Sequence, residues 1–452
     1  MKSINPFSQE IIGNYEVHDK FQVNEIIEKV NQAFQKWRKL QLIERRQFNL
    51  KLAGKLEEKK KFYAQLITNE MGKPIKESIA EVEKCIWLCK HYASSDSFDI
   101  QPKRIKTEAR KAFISYEPSG TIFAIMPWNF PFWQVFRFAI PTITAGNTVI
   151  LKHAPNVTGC ALAIEDAFLS SGFSENVFRS VVIPAERSEE IIRHSYIKGV
   201  TLTGSENAGR SVAALCGKHL KKSVLELGGS DPFIIFEDAE LKLCCSAGLR
   251  SRMLNSGQVC IAAKRFIVQD TIFDKFLLEQ KQALEALVLG NPLLTQTDLG
   301  PMARPDLVDQ IENQVNESVK LGAKIICGGK RSSLHAQIFE PTLLTDVSKG
   351  MPVYDDETFG PVMVAIPFST KEKAVEIAND TRFGLGASIW TQNIELAHDM
   401  MPRIEAGAVF INSIVKSDPR LPFGGIKNSG YGRELALEGV MEFMNIKTNW
   451  IE

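Results

Sequence analysis

Hydrophobic positions near the start of the chain recur at helical spacing. Val23, Ile26, Ile27, Val30, Phe34 and Trp37 step by three and four, and a second periodic stretch closes at 67–71, just before Gly72 and Pro74. Such spacing sets an apolar stripe along each helix, and the following glycine and proline stop the second one. From Gly120 the pattern changes to short apolar runs, at 121–126, 148–151, 199–203, 224–225 and 233–236, separated by helix-length segments. That alternation predicts an α/β fold with a parallel, doubly wound sheet. A second alternating region, 230–423, carries strand-like runs at 265–268, 362–367 and 408–411 with a helical segment at 372–379, and predicts a second α/β domain. Two stretches, around 114–116 and 444–450, alternate apolar and polar residues without a home in either domain.

In a doubly wound sheet ligands bind beyond the carboxyl ends of the strands. The distinctive residues sit there: Pro127-Trp128-Asn129-Phe130-Pro131 follows the first run, Lys152 the second, Gly204 and Ser205 the third, and Glu226-Leu227-Gly228-Gly229 the fourth.

The 452 residues exceed one ordinary core, so at least two domains with a cleft between them are expected. With 54 basic against 53 acidic residues there is no electrostatic footprint for a polyanion, which argues against a nucleic-acid partner. The start carries no charged segment followed by an apolar one, and no run approaches the roughly 20 residues needed to cross a bilayer, so a soluble, cytoplasmic chain is expected, with no membrane partner. The eight cysteines form no CxxC pair and no zinc-finger spacing, which predicts reduced thiols and no metal site.

Cys260 closes the turn Asn255-Ser256-Gly257-Gln258-Val259, where backbone amides can face whatever the sulfur attacks. For the other seven cysteines the plain reading, a small buried hydrophobe, is preferred. Glu226, at a strand end before two glycines, is a candidate base aimed into a cleft, against the alternative of a surface carboxylate. Asn129, in a rigid aromatic turn, can hold its amide toward an oxyanion, or simply bond its own backbone. The 204–209 turn can seat a pyrophosphate on a helix N-terminus but lacks GxGxxG spacing.

Jointly these motifs resemble the aldehyde dehydrogenase superfamily, from Asn69-Glu70-Met71-Gly72-Lys73-Pro74 to Pro422-Phe423-Gly424-Gly425, and include PWNFP at 127–131, ELGG at 226–229, GQVC at 257–260 and ETFGPV at 357–362. Lys152-His153-Ala154-Pro155-Asn156 and Leu227-Gly228-Gly229-Ser230-Asp231-Pro232 are most similar to its succinate semialdehyde dehydrogenase branch. The resemblance implies two doubly wound α/β domains with a small β oligomerisation extension. On this pattern 1–98 and 118–229 bind NAD(P), 230–428 is catalytic, and 99–117 with 429–452 supply strands that assemble a homodimer or homotetramer.

It implies further that Cys260 attacks a small aldehyde, that Asn129 and the Cys260 amide hold the oxyanion, and that Glu226 deprotonates the water that cleaves the thioester. Trp128, Lys152, Gly204, Ser205, Glu357 and Phe359 match cofactor-binding residues. Many NAD-preferring relatives carry a glutamate three positions after the lysine; here it is Pro155, so NAD and NADP both stay open. Arg137 and Ser417 match residues that hold the distal carboxylate of succinate semialdehyde, although an arginine that pairs with an acidic residue of the chain is the plain alternative. The family's second arginine, six residues before the nucleophile, is replaced by Leu254, which leaves Arg420 to compensate. Non-redox thiol acyl transfer and an inactive scaffold are the competing readings of the same fold.

Overall fold

The computed structural model describes residues 1–452, the side chain of Ser95 excepted. Four helices, Lys20–Trp37, Leu42–Glu58, Lys60–Met71 and Ile75–Ala93, occupy the N-terminal part, in agreement with the helical periodicity. The stripe Val23, Ile26, Ile27, Val30, Phe34 and Trp37 is buried, and Asp19 with Gln22 caps that helix reciprocally.

The first large sheet orders its strands Gly430–Tyr431, Lys222–Glu226, Ile197–Thr203, Thr121–Met126, Thr148–His153 and Phe178–Ser180. All neighbours are parallel except the two-residue edge strand Gly430–Tyr431. The second orders Lys324–Cys327, Thr342–Thr345, Val362–Phe368, Ala263–Gln269, Asp231–Ile235, Gly386–Trp390 and Ala408–Ile411, antiparallel only at its first pair. Their central strands, such as Thr121–Met126, Thr148–His153, Asp231–Ile235 and Val362–Phe368, are buried on both faces and so are largely apolar rather than alternating. The apolar run at 233–236 therefore belongs to the second sheet, and the strands Phe178–Ser180 and Gly386–Trp390 were not foreseen because they are short or rich in small residues.

The two unplaced stretches pair with each other. Met444–Ile451 runs antiparallel to Lys111–Pro118, with Ile446 opposite Tyr116, and Lys103–Ile105 completes a three-stranded sheet. One boundary is corrected. Residues 429–443 do not belong to this arm, because Gly430–Tyr431 joins the first sheet and the Ala436–Met441 helix packs against the Trp133–Thr144 helix; the arm begins at Met444.

All twelve residues of the Trp133–Thr144 helix are buried. Its N-terminal donors are satisfied from another helix: the Phe132 and Trp133 amides donate to Glu81 Oε1 at 2.8 and 2.9 Å. The other Glu81 oxygen accepts from Lys73, both side chains fully shielded from water, and the Lys73 ammonium lies 3.6 Å from the centre of the Phe130 ring. A carboxylate here complements the helix dipole, and the lysine keeps it from being a lone buried charge. Lys73→Met is expected to destabilise the fold by about 3–5 kcal/mol, the usual effect of removing one member of a buried pair. A thermal midpoint indistinguishable from that of the unmodified protein would show that the pair does not anchor this helix.

Candidate active site

Cys260 follows a turn that few sequences tolerate. Asn255 and Ser256 both have φ of 53°, and Gly257 has φ of 75°. A Cβ on Gly257 would lie 2.2 Å from the Gly360 carbonyl oxygen, so the backbone of the 357–362 segment passes directly against the turn. Arg252, fully buried, clamps the two together: its Nε donates to Val362 O at 2.7 Å, and its Nη2 donates to Thr358 O at 2.9 Å and to Gly360 O. From the other side Asn255 Nδ2 donates to Asn129 O at 2.9 Å, and Asn129 Nδ2 donates to Gln258 O at 3.0 Å. The Asn129 turn is itself tied down by His153, whose Nδ1 accepts from the Ala154 amide at 2.9 Å and whose Nε2 therefore donates to Pro131 O at 2.9 Å. Burial pushes that imidazole down to about 4, so it stays neutral.

Two cavities meet at Cys260. One, of about 730 Å³, is lined by Trp128, Asn129, Lys152, Gly204, Ser205, Glu357 and Phe359. The other, of about 650 Å³, is lined by Lys84, Phe130, Trp133, Arg137, Ser417 and Phe423 among others. Cys260 and Gln134 are common to both. The first cavity gathers every residue expected at the cofactor, and its chemistry suits a dinucleotide. Ser205 caps the Glu206–Lys218 helix, whose N-terminus faces the cavity. The buried Lys152 ammonium has one protein acceptor, its neighbour's carbonyl at the limit of 3.5 Å, which leaves donors for a ligand. Glu357 Oε1 accepts from the Gly229 amide and from Lys264, both at 3.1 Å. A Cβ at position 228 would lie 2.2 Å from Glu357 Oε2, which is why the second half of ELGG begins with glycine.

Burial pushes the Cys260 thiol up to about 11, against the pull of Arg137 and Lys264. Lys264 is a residue that the sequence reading missed: fully buried, it donates to the Cys260 carbonyl at 2.7 Å and to Glu357, and so ties the Cys260 backbone to the Glu357 carboxylate. A lysine in a buried strand four residues after the cysteine was the available clue.

Three expectations change. Glu226 does not project into either cavity in this conformation; it is buried near Gly424, with neither carboxyl oxygen hydrogen-bonded. Burial, with Glu434 nearby, pushes its carboxyl well above the usual range despite Arg137. Arg137 does line the second cavity, but it is not free: its Nε pairs with Glu434, both side chains almost wholly buried, and its guanidinium lies 4.4 Å from the Phe423 ring centre. The sequence could not show that partner, 297 positions away. Arg420 does not compensate for Leu254. It lines neither cavity, its side chain is 67% exposed, and it forms a two-point pair with Asp418 at 2.7 and 2.8 Å. Ser417 is placed as expected, buried on the cavity wall, and its Oγ accepts from Lys84 Nζ at 2.8 Å.

The family model described as "Aldehyde dehydrogenase family" matches residues 1–449. A probable succinate-semialdehyde dehydrogenase [NADP(+)] of Synechocystis is 46% identical over 99% of both chains, and a succinate semialdehyde dehydrogenase [NAD(P)+] of Escherichia coli is 42% identical over 99% of this chain and 97% of its own. The crystal structure of succinic semialdehyde dehydrogenase from Streptococcus pyogenes with NADP+ superposes with a TM-score of 0.97 at 34% identity, covering 100% of this chain and 99% of that one. Agreement over the whole chain, with the thiol, the amide and both cavities in place, means that this protein belongs to the aldehyde dehydrogenase family.

Proposed function

We propose that this chain oxidises succinate semialdehyde to succinate with NADP+, NAD+ serving as the weaker alternative, through a covalent intermediate on Cys260. The observation that carries the reading is the position of Cys260 where the two cavities meet, so that one residue faces both an aldehyde and a dinucleotide. The relatives named for succinate semialdehyde and NADP+ support the choice of substrate and cofactor.

Trp128, Lys152, Gly204, Ser205, Glu357 and Phe359 would hold the dinucleotide, which supplies the hydride acceptor. Pro155 after Lys152 leaves no carboxylate there to repel a 2′-phosphate. The Cys260 thiol loses its proton and the sulfur bonds the aldehyde carbon, giving a thiohemiacetal. The second Nδ2 hydrogen of Asn129 and the Cys260 amide donate to its oxygen. Loss of hydride leaves a thioester on Cys260. Glu226 then takes a proton from water, whose oxygen attacks the thioester carbon; the carbon–sulfur bond breaks and the acid leaves. Aldehyde, oxidised cofactor and water thus give carboxylate, reduced cofactor and two protons. Because Glu226 sits behind the cavities, its side chain must swing about its own bonds to reach that water, and its raised pKa means that the basic form accumulates as pH rises.

The arm also supports assembly into a homodimer or homotetramer. On its outermost strand Ile446, Trp450 and Ile451 are 61%, 45% and 46% exposed, and beyond that strand lies an unpaired edge. Strand addition by a second copy would satisfy both.

Cys260→Ser is expected to abolish turnover, whereas Glu226→Gln should give a burst of reduced cofactor near one per active site followed by slow deacylation. In the unmodified enzyme the deacylation rate should go on climbing with pH well beyond the usual carboxylate range, and this dependence should vanish in Glu226→Gln. Loss of the burst in that variant would place Glu226 before the thioester. Butyraldehyde should fall at least about 10²-fold below succinate semialdehyde in kcat/KM, since it leaves the carboxylate site unpaired; equal values would overturn the substrate. Sedimentation at micromolar concentration should give a mass two or four times 50.5 kDa, and a monomer mass would remove the role given to the arm.

A further inference from the structure

The second cavity contains several cations, and their partners separate them. Lys76 pairs with Asp298 at 2.6 Å, and Arg137 is neutralised by Glu434. Arg250 and Lys416 are exposed to solvent. Lys84 differs. It lies on the cavity-facing side of the Ile75–Ala93 helix, one turn beyond Glu81, it is largely withdrawn from water, and it has no ion pair among the described residues. One ammonium hydrogen goes to Ser417 Oγ at 2.8 Å, and the Trp133 ring lies beneath it with its centre 4.1 Å away.

We propose that Lys84, together with Ser417, is the specificity-determining clamp for the distal carboxylate of the substrate, in place of the arginine whose position is taken by Leu254; this rests on the substrate reading above. Ser417 accepts from Lys84, so its own hydroxyl hydrogen is free. Lys84 keeps ammonium hydrogens that no protein acceptor takes up. A carboxylate entering the cavity therefore meets one N–H and one O–H donor side by side, and a positive charge that no protein carboxylate has cancelled. Burial, with Arg137 nearby, holds the Lys84 ammonium down to about 8, so the group is charged at neutral pH while poorly solvated, and it gains more from an anion than an exposed lysine would. Arg137 remains the fixed floor of the site: already matched to Glu434, it adds field without a free charge. Trp133 and Phe130, from the helix and turn that Glu81 caps, form the apolar wall along which a short methylene chain would lie.

Steady-state kinetics of the full-length enzyme with succinate semialdehyde and butyraldehyde tests this. Lys84→Met should lower kcat/KM for succinate semialdehyde about 10–100-fold more than for butyraldehyde, chiefly through KM, and should weaken competitive inhibition by glutarate to a similar extent. Lys84→Arg should recover most of the discrimination. Lys84→Gln, which can keep the bond to Ser417 without the charge, should behave like the methionine variant and serves if that one does not fold. Equal losses for both aldehydes would make Lys84 a packing residue and overturn the proposal. Discrimination retained in both uncharged variants would also overturn it, while leaving succinate semialdehyde as the substrate. An unmodified enzyme that does not discriminate removes the substrate reading, and this inference with it.

Discussion

The turn that carries Cys260 is held in a conformation it would not adopt alone. Two consecutive non-glycine residues in the left-handed region cost on the order of 1–3 kcal/mol each, and persist only where the surroundings over-determine them. Arg252 is that surrounding. By donating to the carbonyls of Thr358, Gly360 and Val362, it welds the Cys260 turn to the segment that carries Glu357 and Phe359, and it does so with a charge wholly removed from water. Burial drags its guanidinium down to about 9, which it tolerates because fixed carbonyl dipoles replace the lost hydration. Asn255 and Asn129 then join the same turn to the first sheet. Cys260, Asn129 and Glu357 come from three separate segments and are positioned by this one knot.

A second constraint is electrostatic. The interior around the cysteine holds Arg137, Lys264, Glu226, Glu357 and Glu434, too many charges to bury without close pairing. Arg137 is matched by Glu434 and Lys264 by Glu357. Glu226 is the unmatched member, and burial keeps its carboxyl protonated far above the usual range. The same absence of a partner sets Lys84 apart on the other side of the cysteine.

Much of this was legible in the chain. The period of the apolar positions distinguished helices from buried strands, and the turn residues after each strand marked the ligand edge, because a parallel sheet sends all of those connections to one side. The motifs around 127–131, 226–229, 257–260 and 357–362 identified the family, and the residues that the resemblance named at 128, 204–205, 357 and 359 line one cavity together with Cys260. The two alternating stretches without a home in either domain pair with each other as strands of one small separate sheet.

What the sequence could not decide is which charges cancel. Whether Arg137 was free or paired stayed open because Glu434 is 297 positions distant, and Arg420 looked available because its partner Asp418, two residues away, reads as an ordinary loop acid. Lys84 sat unnoticed among the polar positions of an amphipathic helix, its role visible only once Ser417 and Trp133 arrived from other segments. The orientation of Glu226 likewise depends on Gly424 and the buried acids behind it. Periodicity and turn chemistry are local properties of a chain, so one dimension records them. Charge pairing and desolvation depend on distances through space, and these are set only when the domains close on one another.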